Sequence, residues 1–190
     1  IEEEGLSSSI VSRITEDNRG NLWIGTEGGG VNYYNKETQK YKWYTLKKSP
    51  KENTKNNIKA LYYDPQQEVL WMGIHMGGLY KLDIKTNQST SYQENTCNLP
   101  SNNVEAILPY QNKLMLATDN GIVIFDPLKE HCNYFFKEEN MFNRTYNSKG
   151  LLLDSRNVLW IIGNNNGVCS YNLSTLKFTS YRASLAIEHS

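Results

Sequence analysis

A short apolar motif returns at regular intervals along the chain, each time between polar turn residues. It consists of Leu, then Trp or Met, then one or two aliphatic or Met residues, and ends on Gly or Ala. Its copies occupy residues 22–25, 70–73, 114–117 and 159–163, at a spacing of about 44 to 48 residues. An alternating apolar and polar stretch precedes each copy, although weakly before the last, and a Gly followed by a β-branched residue or Leu comes after it. Self-similarity at this period is typical of tandem repeat proteins.

Each repeat divides into four short stretches with strand character, named a to d in chain order. In the first repeat strand a is expected at residues 10–16, strand b carries the motif, a Gly-rich loop leads to strand c, and an Asx turn leads to strand d. Four short antiparallel strands in a unit of about 40 to 50 residues are typical of a β-propeller blade. No window is long enough for the two amphipathic helices that a helical repeat requires. The predicted fold class is all-β, with four consecutive four-stranded antiparallel β-propeller blades.

The ends of the repeat array favour an incomplete ring. The first repeat begins at strand a and the last ends at strand d, so no blade is split between the termini. Closed propellers typically have about four to eight blades, which leaves a sparse four-bladed ring as the alternative. We expect an incomplete propeller cut from a longer array, with apolar faces at its ends. The prediction is a single partial β-propeller over residues 1–190, with blades at approximately 5–46, 54–94, 99–137 and 146–183.

Turn residues between strands a and b support this division. Asp17 can accept hydrogen bonds from backbone N–H groups of the turn, and Gly20 can adopt a positive φ. Asp154 and Asn157 repeat the same arrangement in the last unit. The third repeat departs from it, with Pro-Tyr-Gln-Asn at residues 109–112.

One position in strand b carries a large apolar side chain in every repeat: Trp23, Trp71, Met115 and Trp160. A row of tryptophans could form a stacking platform for sugars. A position that is used in the same way in every blade is more simply explained by packing between neighbouring blades. We therefore predict a structural core role for these four side chains.

Composition and charge remove several classes of function. The chain has 20 basic and 20 acidic residues and no block of like charge, so we predict no nucleic-acid partner. The longest apolar run is too short to cross a bilayer. The cysteines Cys97, Cys132 and Cys169 are separated in sequence and have no CxxC or Cys/His pairing, so we predict buried free thiols, no metal and no cofactor.

The first repeat also resembles a known family. Residues 14–31, which read ITEDNRGNLWIGTEGGGV, closely resemble the two-component regulator propeller repeat. The resemblance extends over most of the chain and is weakest in the third repeat. It implies a periplasmic sensor region of an inner-membrane hybrid histidine kinase, which responds to glycans, controls genes for carbohydrate use and acts as a homodimer. The kinase itself is absent from this chain, so the segment is expected not to be an enzyme. The rest of the parent propeller is an expected partner.

A propeller of this kind binds ligands at the mouth that its b–c loops and d–a connections form. Positions that break the repeat on this face are therefore the candidate ligand-binding residues, since Asn, Asp, Glu and Lys can pair with sugar hydroxyls. The alternative is that the Asn and Asp residues only shape tight turns. The candidates are Glu27, His75, Asp119, Asn120, Asn164 and Asn165 in b–c loops, Lys59 and Glu105 in strand a, and Arg144 in a long d–a connection.

Three classes of function remain open. A sensor that binds an oligosaccharide or another small ligand fits the lack of a catalytic motif. A propeller enzyme of the lyase or lactonase type would need Glu27, His75, Glu105 and Asp119 to converge at the channel mouth. A protein-interaction or dimerisation scaffold overlaps with the sensor, because the related sensors are expected to be dimers.

Overall fold

A computed structural model of the chain describes residues 3–45, 56–135, 148–163 and 167–181, without the side chains at 148 and 149. These residues form four antiparallel sheets of four strands each, and in every sheet the strand order follows the sequence. The sheets are called blades 1 to 4. The predicted all-β propeller fold is confirmed, with the addition of a four-residue helix between blades 2 and 3.

The strands are short and similar in length from blade to blade. Blade 1 consists of β1 (Val11–Glu16), β2 (Leu22–Thr26), β3 (Gly30–Asn35) and β4 (Lys40–Tyr44), and blade 2 of β5 (Ile58–Asp64), β6 (Val69–Ile74), β7 (Gly78–Asp83) and β8 (Gln88–Tyr92). The helix α1 (Glu94–Cys97) follows. Blade 3 consists of β9 (Val104–Tyr110), β10 (Lys113–Thr118), β11 (Gly121–Asp126) and β12 (His131–Tyr134), and blade 4 of β13 (Ser148–Leu153), β14 (Val158–Gly163), β15 (Gly167–Asn172) and β16 (Lys177–Tyr181).

The turn between the first two strands of blade 1 follows its sequence signature. Asp17 Oδ1 accepts hydrogen bonds from the backbone N–H groups of Arg19 at 2.8 Å and Asn21 at 3.0 Å. Gly20 has a φ of 80°, which a residue without a Cβ adopts freely. An Asp side chain that bonds the backbone in this way closes the turn without help from the rest of the fold.

The turn between the first two strands of blade 3 is formed by different residues. Gln111 and Asn112 form a two-residue loop in which both φ angles are positive, at 48° and 60°. This is the geometry of a type I′ hairpin turn, whose twist matches that of the flanking strands. The loss of the Asp and Gly residues therefore leaves the β9–β10 pairing intact.

Three apolar clusters fill the spaces between consecutive blades. Trp23 lies in the cluster between blades 1 and 2, Trp71 in the cluster between blades 2 and 3, and Met115 in the cluster between blades 3 and 4. All three side chains are at most 1% exposed. The repeated strand-b position thus lies on the face that each blade turns toward the next one.

The four blades form an open arc. The first strands of consecutive blades contact one another, β1 with β5, β5 with β9 and β9 with β13, which places them innermost. Among the described residues, no such extensive strand contact joins blade 1 to blade 4. Apolar side chains on the two end faces are exposed, with Ile14 at 61% on blade 1 and Leu152 at 61% on blade 4.

Trp160, at the open end of the arc, is less buried than the tryptophans at the same position in blades 1 and 2. It holds the same position as Trp23 and Trp71 but is only half-buried, since no described blade packs on that face. Its ring stacks on Tyr181 at a centroid distance of 5.7 Å, and its Nε1 donates to Asp154 Oδ2 at 3.1 Å. In blade 1 the matching pair, Trp23 and Tyr44, lies against blade 2.

Candidate functional site

The b–c loops of blades 1 to 3 and the residues that begin strand a lie at one rim of the arc. The first residue of the loop is fixed to this rim in the same way in two blades. Glu27 N donates to the Ile10 carbonyl at 2.9 Å, and His75 N donates to the Asn57 carbonyl at 3.0 Å. Each loop is thereby tied to the residue that precedes the innermost strand of its own blade. The predicted residues Asn164, Asn165 and Arg144 lie outside the described residues.

Glu27 and Lys59 form an ion pair across two blades. Lys59 Nζ lies 3.0 Å from Glu27 Oε1, and the side chains are 27% and 40% exposed, respectively. An ion pair with this much exposure contributes only about 0–1 kcal/mol to stability. Glu27 and Lys59 can therefore give up their ion pair and bind the hydroxyl groups of a ligand instead, at a small cost in free energy.

Asn103 connects two neighbouring loops through its carboxamide. Its Oδ1 accepts a hydrogen bond from Met76 N at 2.6 Å, and its Nδ2 donates to the carboxylate of Asp119. Sequence reasoning did not select Asn103 as a candidate. The signal that could have found it is its position directly before strand a of blade 3, where Asn57 stands before strand a of blade 2.

The other predicted residues differ in what they can offer a ligand. His75 is half-buried, and its Nδ1 atom is itself buried without a hydrogen-bond partner among the described residues, so this nitrogen is not presented to a ligand at the rim. Asn120 is exposed, but its Nδ2 already donates to the Pro100 carbonyl at 2.9 Å. Glu105 is only 8% exposed in β9, so a ligand at the rim has little access to it. The structure thus groups Glu27 with Lys59 and Asp119 with Asn103, on successive blades.

Two depressions of the described surface lie away from this rim. A groove of about 660 Å³ runs along the outer edges of blades 1 and 2, between β4 and β8, and includes Trp43, Tyr80 and Gln88. A second groove, of about 510 Å³, lies between blades 2 and 3 beside the a–b turns, on the face opposite the b–c loops. No group of three or more His, Cys, Asp or Glu side chains that could hold a metal ion occurs in the described ranges.

A comparison with protein families identifies the repeat. Residues 5–28 match the two component regulator propeller model. This stretch is therefore similar to a two-component regulator propeller repeat. It covers β1, the Asp17 turn, β2 and the start of the β2–β3 loop, so the match includes both Trp23 and Glu27. No curated protein matches the chain.

Solved structures share the fold over almost the whole chain. The extracellular domain of the proposed hybrid two component system BT3049 from B. thetaiotaomicron is 24% identical, with a TM-score of 0.71, over 94% of this chain and 25% of that one. The corresponding domain of BT4673 from the same organism is 21% identical, with a TM-score of 0.73, over 94% and 25%. An auxiliary nutrient binding protein from Bacteroides thetaiotaomicron VPI-5482 is 10% identical, with a TM-score of 0.65, over 93% and 41%.

Two further findings concern the share of the similar structures that the chain covers and the length of its helix. The chain spans 25% of the length of the two extracellular domains from two component systems. The described α-helix has four residues, and none of the described residues belongs to a helix that could cross a bilayer.

Proposed function

We propose that the chain is a ligand-sensing propeller segment of a two-component regulatory sensor and that its ligand is an oligosaccharide. The observation that carries this proposal is the match of residues 5–28 to the two-component regulator propeller, within a fold shared with two extracellular sensor domains. In this proposal the segment binds and does not catalyse. The signal passes to a histidine kinase elsewhere in the same protein, which regulates genes for carbohydrate use.

The chemistry of the rim supports a saccharide as the ligand. Sugar hydroxyls both donate and accept hydrogen bonds, and they are bound by side chains that do the same. The rim supplies a carboxylate with an ammonium group in Glu27 and Lys59, and a carboxamide with a carboxylate in Asn103 and Asp119.

The end faces support a place within a larger ring. Ile14 on blade 1 and the Trp160–Tyr181 pair on blade 4 occupy positions whose side chains pack, buried or partly buried, in the apolar clusters between blades elsewhere in the arc. Further blades of the parent protein would cover both faces. We propose a periplasmic position for this ring, as the sensor region of an inner-membrane protein that acts as a homodimer.

Direct binding measurements test the proposal. Isothermal titration calorimetry of the purified chain against a panel of oligosaccharide fragments is expected to show saturable binding to at least one class without release of a new reducing end. Asn103→Ala should weaken that binding by about tenfold or more, because Asp119 and Met76 both lose their partner. Gln88→Ala, in the outer groove, is the matched control and should leave the affinity unchanged.

Three results would contradict the proposal. Turnover of the bound saccharide, with or without an added divalent metal, would indicate a propeller enzyme. Binding that Gln88→Ala abolishes and Asn103→Ala spares would place the site in the outer groove. No saturable binding to any member of the panel would remove the saccharide as the ligand of this segment.

A further inference from the structure

Two cysteine side chains that are far apart in sequence meet between blades 2 and 3. Cys97 Sγ lies 3.7 Å from Cys132 Sγ. Cys97 is the last residue of α1, and Cys132 lies in β12, the outermost strand of blade 3. The two residues are 2% and 4% exposed and belong to the same apolar cluster as Trp71 and Tyr92. The sequence analysis predicted free buried thiols and gave no sign of this contact.

We propose that Cys97 and Cys132 are a redox-active pair that forms an intramolecular disulfide when a small disulfide, such as oxidised glutathione, is the oxidant. A disulfide requires a sulfur–sulfur distance of about 2.05 Å, so the two atoms have to close by less than about 2 Å. Cys169 is excluded as a partner by its position in β15, where its Sγ lies 3.7 Å from Ser180 Oγ. Within the described chain, Cys97 and Cys132 can therefore form a disulfide only with each other.

The contact between the two sulfurs supplies both protein partners of a thiol–disulfide exchange. One of the two cysteines, as its thiolate, attacks the small disulfide, forms a mixed disulfide and releases one thiolate. The other cysteine then loses its proton and attacks the protein sulfur of the mixed disulfide, which releases the second small thiol. Two protein thiols are oxidised by two electrons, and one small disulfide is reduced to two thiols.

The disulfide would act on the segment that carries part of the candidate rim. Residues 93–103 form the connector between blades 2 and 3, and they include Cys97 and Asn103. Asn102 O accepts from Gly78 N at 2.8 Å, and Asn103 joins the loops of both blades. A bond from Cys97 to Cys132 would fix this connector to blade 3 by a covalent link in place of packing alone. The proposal does not depend on the identity of the ligand.

The experiment compares oxidised and reduced protein. Because both sulfurs are buried, the protein is refolded with a mixture of oxidised and reduced glutathione, and a second sample is refolded with a phosphine reductant. Alkylation under denaturing conditions should modify only Cys169 in the oxidised sample and all of Cys97, Cys132 and Cys169 in the reduced one. Peptide mapping should show the Cys97–Cys132 link. The Tm of the oxidised sample should be higher by roughly 5–15 °C, which the reductant reverses.

Matched variants separate this pair from the third cysteine. Cys169→Ser should keep the rise in Tm and the cross-link, whereas Cys132→Ser should lose both. If Cys132→Ser fails to fold, the alkylation pattern and peptide map of the wild-type protein still decide the question. Alkylation of all three cysteines after oxidative refolding, or a cross-link that includes Cys169, would overturn the proposal.

Discussion

At the scale of single residues, the repeated strand-b position is a packing site where a described blade follows, as at Trp23, Trp71 and Met115. Trp71 is 1% exposed, lies 5.7 Å from the ring of Phe125 and 6.0 Å from that of Tyr92, and its Nε1 has no hydrogen-bond partner among the described residues. Because neither face of this indole is accessible to solvent, it cannot stack on a sugar. Its contribution is therefore apolar burial and aromatic contact.

Replacement of this side chain should be costly. Trp71→Ala is expected to lower the free energy of unfolding by about 3–5 kcal/mol, since it leaves a cavity between blades 2 and 3. Trp43→Ala is the control, because Trp43 is 41% exposed at the outer edge and donates only to the Gly5 carbonyl at 2.8 Å. The control should cost about 1 kcal/mol. Urea denaturation measures both, and similar losses in the two variants would contradict the packing role.

Asp154 gives a second prediction at this scale. Hydrogen bonds from Trp160 Nε1 and then from the backbone N–H of Val158 lower the pKa of its carboxyl from 3.8 to about 2. The folded state therefore binds this proton less readily than the unfolded state. The resulting stabilisation is present above pH 3.8 and is lost as the pH falls toward about 2.

NMR can follow this titration through the indole N–H of Trp160, whose acceptor is the Asp154 carboxylate. Its chemical shift should change with a midpoint near pH 2 in the folded protein. Asp154→Asn should abolish the transition, and Trp160→Phe identifies the resonance. A midpoint at the ordinary value of 3.8 would show that the hydrogen bond does not hold the carboxylate ionised.

At the scale of strands and loops, the glycine that begins strand c fixes where the b–c loop returns to the sheet. Gly78 has a φ of 90°, and a Cβ at this position would overlap the carbonyl oxygen of Tyr92 in the neighbouring strand β8. Gly28, in the loop of blade 1, also has a positive φ, at 82°, but a Cβ there would meet nothing within 4 Å. A substitution at Gly28 would therefore introduce backbone strain alone, whereas one at Gly78 would introduce both backbone strain and steric overlap.

Alanine substitutions should reproduce this difference. Gly28→Ala is expected to cost about 1–2 kcal/mol, the ordinary penalty of a left-handed backbone. Gly78→Ala should cost more than Gly28→Ala by about 1 kcal/mol or more, because β8 has to move as well. Differential scanning calorimetry of the two variants checks the order. Equal losses would mean that the Tyr92 carbonyl relaxes freely.

The sequence predicts elements well where one short-range rule decides them. The motif spacing identifies four blades, and Asp17 with Gly20 identifies a turn, because each depends on residues close together in the chain. The type I′ loop at Gln111 and Asn112 replaces the expected turn in a form that the repeat did not indicate. The helix α1 was not predicted, since four residues are too few to show a helical period.

The candidate site was less predictable because contacts between elements build it. Glu27 and Lys59 were both selected from the sequence, but their ion pair depends on how one blade sits beside the next. Asn103 was missed as a separate candidate, although it contacts loops of two blades. Glu105 was selected for its position in strand a, yet tertiary packing buries it. Repeat comparison finds which positions are unusual, and only the fold shows which of them reach the rim.

At the scale of the molecule, the arc presents two unlike apolar ends. The blade 1 end exposes Ile10 at 58% and Ile14 at 61%, and the blade 4 end exposes Leu152 at 61% and Ile162 at 53%. Within the arc, the outgoing face of each blade packs on the incoming face of the next. In the isolated segment, without the further blades proposed for the parent protein, the blade 4 end of one molecule should therefore bind the blade 1 end of another, a head-to-tail contact that can continue.

Charge placed on the two ends tests this association. Ile14→Lys should weaken self-association by about tenfold or more, because the contact would bury an unpaired ammonium group. Leu152→Glu in the same chain should recover part of that loss, whereas Leu152→Lys with Ile14→Lys should abolish association through repulsion of like charges. Leu128→Lys is the control, since Leu128 is 96% exposed but lies beyond the two end faces. Sedimentation equilibrium measures each constant, and an equal effect of Leu128→Lys, or a wild-type chain that stays monomeric at high concentration, would contradict the head-to-tail contact.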